Sequence, residues 1–226
     1  MQSGYLVAKT LVEQARAKQL YARSGDGKTI EVVGVNGANR SFTTIQRERG
    51  LEKYAAENPD VKINQVVKAY WEPERARDAA NMLLNLYPES SIIWSASDLM
   101  SIGAAEGAEQ QQRKPGQDVL TCGVDWINEI FPQIERGYIS CSVGGHVFDG
   151  AWLMVLLMDH FNGQTDAFIE EKTRFSVVNA ENMNQFKALM QPEYWERIDF
   201  RQFSQAYGHE RPESLGFHLL IENARE

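Results

Sequence analysis

Apolar residues recur at helical spacing between Tyr5 and Leu20, at Leu6, Val7, Leu11 and Ala15, and the polar run Ser24-Gly25-Asp26-Gly27 ends the segment. That spacing predicts an opening helix. A β-branched run from Thr29 to Val35 follows, closed by Asn36-Gly37-Ala38-Asn39, and a helical pattern then runs from about Thr43 to Asn58. Strand and helix continue to alternate, with strands expected at 62–68, 91–95, 118–123 and 138–143 and helices at 73–87, 98–113, 126–135 and 148–161. Pro73 suits a first helical turn and Ser97 or Asp98 a helix cap, while Asn58-Pro59, Tyr87-Pro88 and Lys114-Pro115-Gly116 are exits. Such alternation predicts an α/β fold with a doubly wound parallel sheet. After Gly163 the pattern changes to an extended segment over 168–178, a helix over 180–190 and an aromatic tail through Ile221. The tail carries Tyr194, Trp195, Phe200, Phe203, Tyr207 and Phe217, and rings at that density predict packing against another element.

Composition narrows the function classes. The chain has 226 residues, 43% of them apolar, which is enough for a substantial core. Its 23 Lys and Arg against 31 Asp and Glu give a net charge of -8 with no basic block to track a phosphate backbone, so nucleic acid is not an expected partner. The longest apolar run, 151–158, is far short of the roughly 20 residues that span a bilayer. Nothing at Met1 to Tyr5 reads as a signal peptide. Cys122 and Cys141 fall in predicted buried strands and are expected as plain thiols. His146 and Asp149 at a helix start are read as surface or capping residues, and neither a metal nor a cofactor is expected.

In a doubly wound sheet, ligands bind beyond the carboxyl ends of the strands. The residues there are Asn36, Asn39 and Arg47 after the first strand, Tyr70-Trp71 after the second, Ser95-Ala96-Ser97-Asp98 after the third, Asp125-Trp126 after the fourth and Gly144-Gly145-His146 after the fifth. Amides, carboxylates and a guanidinium answer vicinal hydroxyls, and an aromatic ring covers the apolar face of a sugar. A helix cap is the competing role for Ser97 and Asp98.

Four groups of residues carry a family resemblance: Gln46-Arg47-Glu48-Arg49-Gly50, Ala69-Tyr70-Trp71, the pair Leu83-Leu84-Asn85-Leu86-Tyr87-Pro88 and Ser97-Asp98-Leu99-Met100-Ser101-Ile102-Gly103-Ala104, and Gly123-Val124-Asp125-Trp126 with Ile134-Glu135-Arg136-Gly137 and Ser142-Val143-Gly144-Gly145. With them the chain resembles type 1 periplasmic binding proteins of the ribose, galactose and autoinducer class, whose fold is shared by the effector domains of LacI-type repressors. The resemblance covers Ser3 to about Gly163. It implies ligand contacts at Arg47, Trp71, Ser97, Asp125, Trp126, Gly145 and His146. Two positions depart from the family pattern: Ser97 stands where Asn is common, and Gly145 where Gln or Asn is. The resemblance also implies a first lobe ahead of the opening helix, which this sequence does not contain. Residues 1–146 would then form the C-terminal lobe, 147–178 a crossover helix and strand belonging to the incomplete N-terminal lobe, and 179–226 a return to the first body followed by the tail.

The implied function is that of a periplasmic solute-binding protein for a sugar-type ABC transporter, closing two lobes on a sugar or polyol without transforming it. A ligand-sensing receptor feeding a membrane sensor, or a LacI-type effector domain, is the alternative on the same fold. A Rossmann-type enzyme is disfavoured, because Gly34-Val35-Asn36-Gly37 has two glycines where a dinucleotide loop needs three. Hydrolase chemistry has no support either: a Gly-x-Ser-x-Gly elbow is missing, and His146, His160, His209 and His218 are scattered.

Overall fold

A computed structural model describes all residues except 25–26, 165–173, 211, 213 and 224–226. The chain divides into two compact units, Met1–Val143 with Val177–Met183, and Gly144–Ser176 with Asn184–Glu226.

The first unit is the predicted alternation. Helix α1 (Gln2–Ala17) leads to β1 (Ile30–Asn36), α2 (Phe42–Glu57), β2 (Val61–Lys68), α3 (Pro73–Leu86), β3 (Ile92–Ser95), α4 (Asp98–Gln110), β4 (Leu120–Val124), α5 (Ile130–Glu135) and β5 (Cys141–Gly144). Strand β6 (Ser176–Val178) completes a six-stranded sheet in the order β2-β1-β3-β4-β5-β6. The pairs β1–β2, β1–β3, β3–β4 and β4–β5 are all parallel. Continuous apolar strands follow from burial on both faces: every residue of β1, β3, β4 and β5 is buried. Helices α1 and α2 pack together on one another, as do α3 and α4. Trp94, wholly buried in β3, ties the sheet to α1 by donating its indole N–H to the Gly4 carbonyl at 3.0 Å.

Among the boundaries that differ from the sequence pattern, three have a clear tertiary reason. Helix α1 starts earlier because Ser3 and Gly4 are buried, Gly4 against the α2 backbone at Arg47, and small residues leave no mark in an apolar period. The helix expected from Trp126 begins only at Ile130, since Trp126 adopts φ +62° and the chain turns before it coils. The strand expected from Tyr138 begins at Cys141, because the amides of Tyr138 and Ile139 both donate to Gln133 O and close α5 instead.

The cysteines also require a correction. The β4–β5 register sets Cys122 opposite Cys141, and their sulfurs form a disulfide with Cα atoms 4.8 Å apart. Register is a property of two strands together, so the separation of the two cysteines along the chain does not reveal it.

The second unit is built on α6 (Asp149–Phe161). It also contains most of α7 (Met183–Leu189), then α8 (Pro192–Trp195), two 3-10 turns at Phe200–Phe203 and Gln205–Tyr207, and α9 (Phe217–Asn223). Of the extended segment expected over 168–178, residues 168–173 lie outside the described residues. The aromatic tail packs as expected. Phe148 meets Trp195 and Phe217 at ring-centroid distances of 5.3 and 5.6 Å, and Trp152 meets Phe200 and Phe203 at 5.1 Å each. Asp159, buried in α6, anchors the turns by accepting from Ser204 Oγ and from the Ala206 amide. Among the described residues no helix is long and apolar enough to cross a membrane.

Candidate ligand-binding site

Strand order decides where a crevice can open. Strand β1 is flanked by β2 on one side and β3 on the other, so successive crossovers run in opposite directions from it and the loops leaving β1 and β3 diverge. Because these strands are parallel, Asn36, Tyr70-Trp71, Ser97 and Asp125 all emerge at the same end of the sheet.

Arg47 bridges the divergence. It projects from α2 with only 8% of its surface exposed, donates from Nη1 to the Ala96 carbonyl beyond β3, and donates from Nη2 to Asp125 Oδ1 beyond β4 at 3.1 Å. Its guanidinium carbon also stands 5.8 Å from the centroid of the Trp71 ring. One planar cation therefore joins three loops, which a single ammonium point charge would not do.

Trp71 is placed by an unusual backbone. Tyr70 and Trp71 take φ +57° and +68°, and the Glu72 amide closes the turn onto Ala69 O at 3.0 Å. The half-buried Trp71 ring lies against Gly37, where a β-carbon would overlap it, so the glycine after β1 makes room for the aromatic after β2. Tyr70 is exposed, its hydroxyl accepting from Asn39 Nδ2 at 3.2 Å and its ring facing Arg75. Asn36, by contrast, is turned inward: it is fully buried, donates to Glu48 Oε2 and Thr44 O, and accepts from the Gly37 amide.

Ser97 is the N-cap of α4, its hydroxyl accepting from the Met100 amide at 3.4 Å. Asp125 takes φ +132°, its amide donates to Val143 O, and its carboxylate side chain is about one-third exposed beside Arg47. Trp126 reaches the same end of the sheet, but its ring is 1% exposed and its Nε1 donates to Ser142 O at 3.2 Å, so it packs beneath Asp125. Left-handed backbone at a non-glycine residue costs on the order of 1–3 kcal/mol and concentrates at functional sites. Four such residues, Tyr70, Trp71, Asp125 and Trp126, lie in the two loops that hold Trp71 and Asp125.

Gly145 and His146 belong to the second unit. Gly145 takes φ +119°, and His146 opens a 3-10 turn with its ring 5.5 Å from that of Phe175. Arg47, Trp71 and Asp125 are thus brought together, Ser97 stands at the same sheet end as a cap, and Gly145 and His146 are placed within the other unit.

Asp98, a strand-end candidate in the sequence with a helix cap as its competing role, takes a place that neither reading describes. Asp98, the first residue of α4, is wholly buried; it accepts from Ser142 Oγ at 2.7 Å and from the Ile127 amide at 3.2 Å. Burial pushes its carboxyl up to about 7, reinforced by the charge of Asp125, while the bonds from Ser142, Ile127 and Trp126 pull the other way.

A cavity of about 580 Å³ opens at the opposite end of the sheet, lined by Tyr21, Glu89, Arg113 and Asp118 among others. It is the poorer candidate despite its size. Arg113 donates to Asp118 and to Pro88 O, Ser91 donates to Leu20 O, and Glu89 accepts from Ser24, so these polar groups answer one another.

A doubly wound sheet with a polar and aromatic cluster at its switch point is the arrangement in which α/β domains bind ligands. A family model described as a periplasmic binding protein domain matches residues 1–165, and the chain belongs to that family. Among solved structures it is similar to a periplasmic sugar-binding protein from Pseudomonas fluorescens, with a TM-score of 0.79 and 31% identity, covering 93% of this chain and 63% of that one. The galactofuranose-binding protein of Escherichia coli (strain K12) is 23% identical over 52% of this chain and 38% of its own length. The D-allose-binding periplasmic protein of the same organism is 28% identical over 57% of this chain and 41% of its own length. The chain matches about two-fifths of the length of these curated relatives.

Proposed function

We propose that the chain forms one wall of a sugar-binding cleft in an exported solute-binding protein that delivers its ligand to an ABC transporter. The observation that carries the reading is the Arg47 bridge across the sheet's switch point, with Asp125 and the Trp71 ring beside it. A guanidinium fork donates to two neighbouring ring or hydroxyl oxygens, a carboxylate accepts from hydroxyls, and an indole face covers the C–H side of a sugar ring. Ser97 and Trp126 join the proposed set as supports at this sheet end, and Gly145 and His146 remain proposed contacts on the family resemblance alone. The names of the relatives, which are binding proteins for galactofuranose and D-allose, favour a monosaccharide ligand held without turnover. The Cys122–Cys141 disulfide fits an oxidising compartment such as the periplasm.

Titration calorimetry of the full-length protein against D-allose, galactofuranose, arabinose and ribose tests the reading. Arg47→Ala and Asp125→Ala each remove hydrogen bonds involving a charged group, worth roughly 1.5–3 kcal/mol, so each weakens binding by about tenfold to a hundredfold. Unchanged affinity in both variants refutes the site, and release of a chemically altered sugar refutes simple binding.

A further inference from the structure

Three strand ends converge on the Asp98 carboxylate. It sits at the start of α4 beyond β3, takes the Ile127 N–H from the turn after β4, and takes the Ser142 hydroxyl from β5. Gly123 in β4 is bare for the same reason, since a β-carbon there would stand 2.5 Å from Asp98 Oδ1. The turn it grips is strained at both Asp125 and Trp126, so it holds that shape only under external restraint. The Asp125 amide bond to Val143 O fixes the entry to the turn, the Trp126 indole bond to Ser142 O fixes its middle, and Asp98 fixes its exit.

We propose that Asp98 is the positioning residue of the binding site: as an anion it clamps the turn after β4 so that Asp125 faces Arg47 and the ligand, and ligand affinity therefore depends on its ionisation. This rests on the cleft assigned above. The ionised carboxylate serves both donors with charge-assisted bonds, roughly twice as strong as neutral ones, and its charge drives the Asp125 carboxylate towards Arg47. Protonation weakens both effects. Burial, followed in size by the opposing Ser142 bond and then by Asp125, places that proton's loss near pH 7. Among the groups that shift Asp98 most, Asp125 is the charged one; Ser142 from β5 and Gly123 from β4 carry no charge, and Arg47 from α2 pairs with Asp125.

The test is carbon-detected NMR of the Asp98 carboxyl together with amide hydrogen exchange at Ile127, in the wild type, Asp98→Asn and Asp98→Ala, with sugar titrations of the full-length protein alongside. The expected result is an Asp98 titration between about pH 6 and 8, and Ile127 protection that, relative to amides exchanging through global unfolding and for openings of the turn that leave Asp98 buried, rises by about tenfold across it, as the net worth of one hydrogen bond requires. Sugar affinity rises over the same interval, and Asp98→Asn flattens both profiles while remaining folded. An Asp98 carboxyl that titrates below about pH 5 overturns the proposal, and so does a pH profile that survives in Asp98→Asn. The wild-type carboxyl titration decides the matter even if Asp98→Ala fails to fold. Ile127 protection that follows Asp98 in a protein binding no sugar upholds the clamp and refutes the cleft.

Discussion

The Arg47–Asp125 pair offers a quantitative test because its environment lies between two known limits. Arg47→Ala removes a bond of 3.1 Å to Asp125, the bond to the Ala96 carbonyl, and the cation beside Trp71. The side chains are 10% and 34% exposed, which places the pair between a surface bridge worth about 0–1 kcal/mol and a buried one whose disruption costs about 3–5 kcal/mol. An intermediate coupling of about 2 kcal/mol follows. The bereft Ala96 carbonyl adds about 1 kcal/mol and the lost cation–π contact about 0.5 kcal/mol, so Arg47→Ala destabilises the fold by roughly 3.5 kcal/mol. A double-mutant cycle with Asp125→Ala, read by urea unfolding at physiological salt, isolates the coupling. Arg47→Lys keeps the charge yet restores less than half of the loss, since one ammonium does not span Ala96 O and Asp125 together. A coupling below about 0.5 kcal/mol, or one abolished by high salt, refutes the reasoning, because it would mark the pair as solvent-screened.

Gly37→Ala forces the Trp71 ring out of its seat; the expected outcome is a shifted tryptophan emission and at least about tenfold weaker sugar binding, equivalent to ~1.4 kcal/mol, with little change in fold by circular dichroism. Reduction of Cys122–Cys141, which closes a loop with a sequence separation of 19, lowers stability by about 3 kcal/mol, read as a lower urea midpoint in reductant; alkylation of two thiols in the oxidised, denatured protein would contradict the pairing. Asp98 makes stability fall as pH rises. Its folded carboxyl, near 7, holds a proton that the unfolded chain, near 3.8, has released, so the stabilisation is complete below about pH 4 and lost by the time pH passes about 7. Three pH units set a ceiling of about 4 kcal/mol, and Asp98→Asn removes this slope; equal slopes in urea midpoints between about pH 5 and 8 count against it.

The order of elements was legible in the sequence because periodicity is local. The runs at 29–35, 62–68 and 91–95, and the helices set off by Pro73 and Ser97, needed no partner to be recognised. Parallel alternation then implied that Arg47, Trp71, Ser97 and Asp125 share one end of the sheet, and the structure places them there. What remained invisible depends on pairs of elements. Sequence marked Asn36 as a strand-end candidate, yet the packing of α2 turns it inward towards Glu48. Trp126 and Asp125 are neighbours in the chain, yet a left-handed turn buries the first and leaves the second beside Arg47. Asp98 was legible as a helix start, while its role as a buried hub appears only when β4 and β5 close over it. Apolar spacing and chain direction are local, and they suffice to set which elements form and at which end chemistry gathers. Which side chains touch, and whether Cys122 meets Cys141, depends on register, backbone handedness and burial, which arise between segments far apart in the chain.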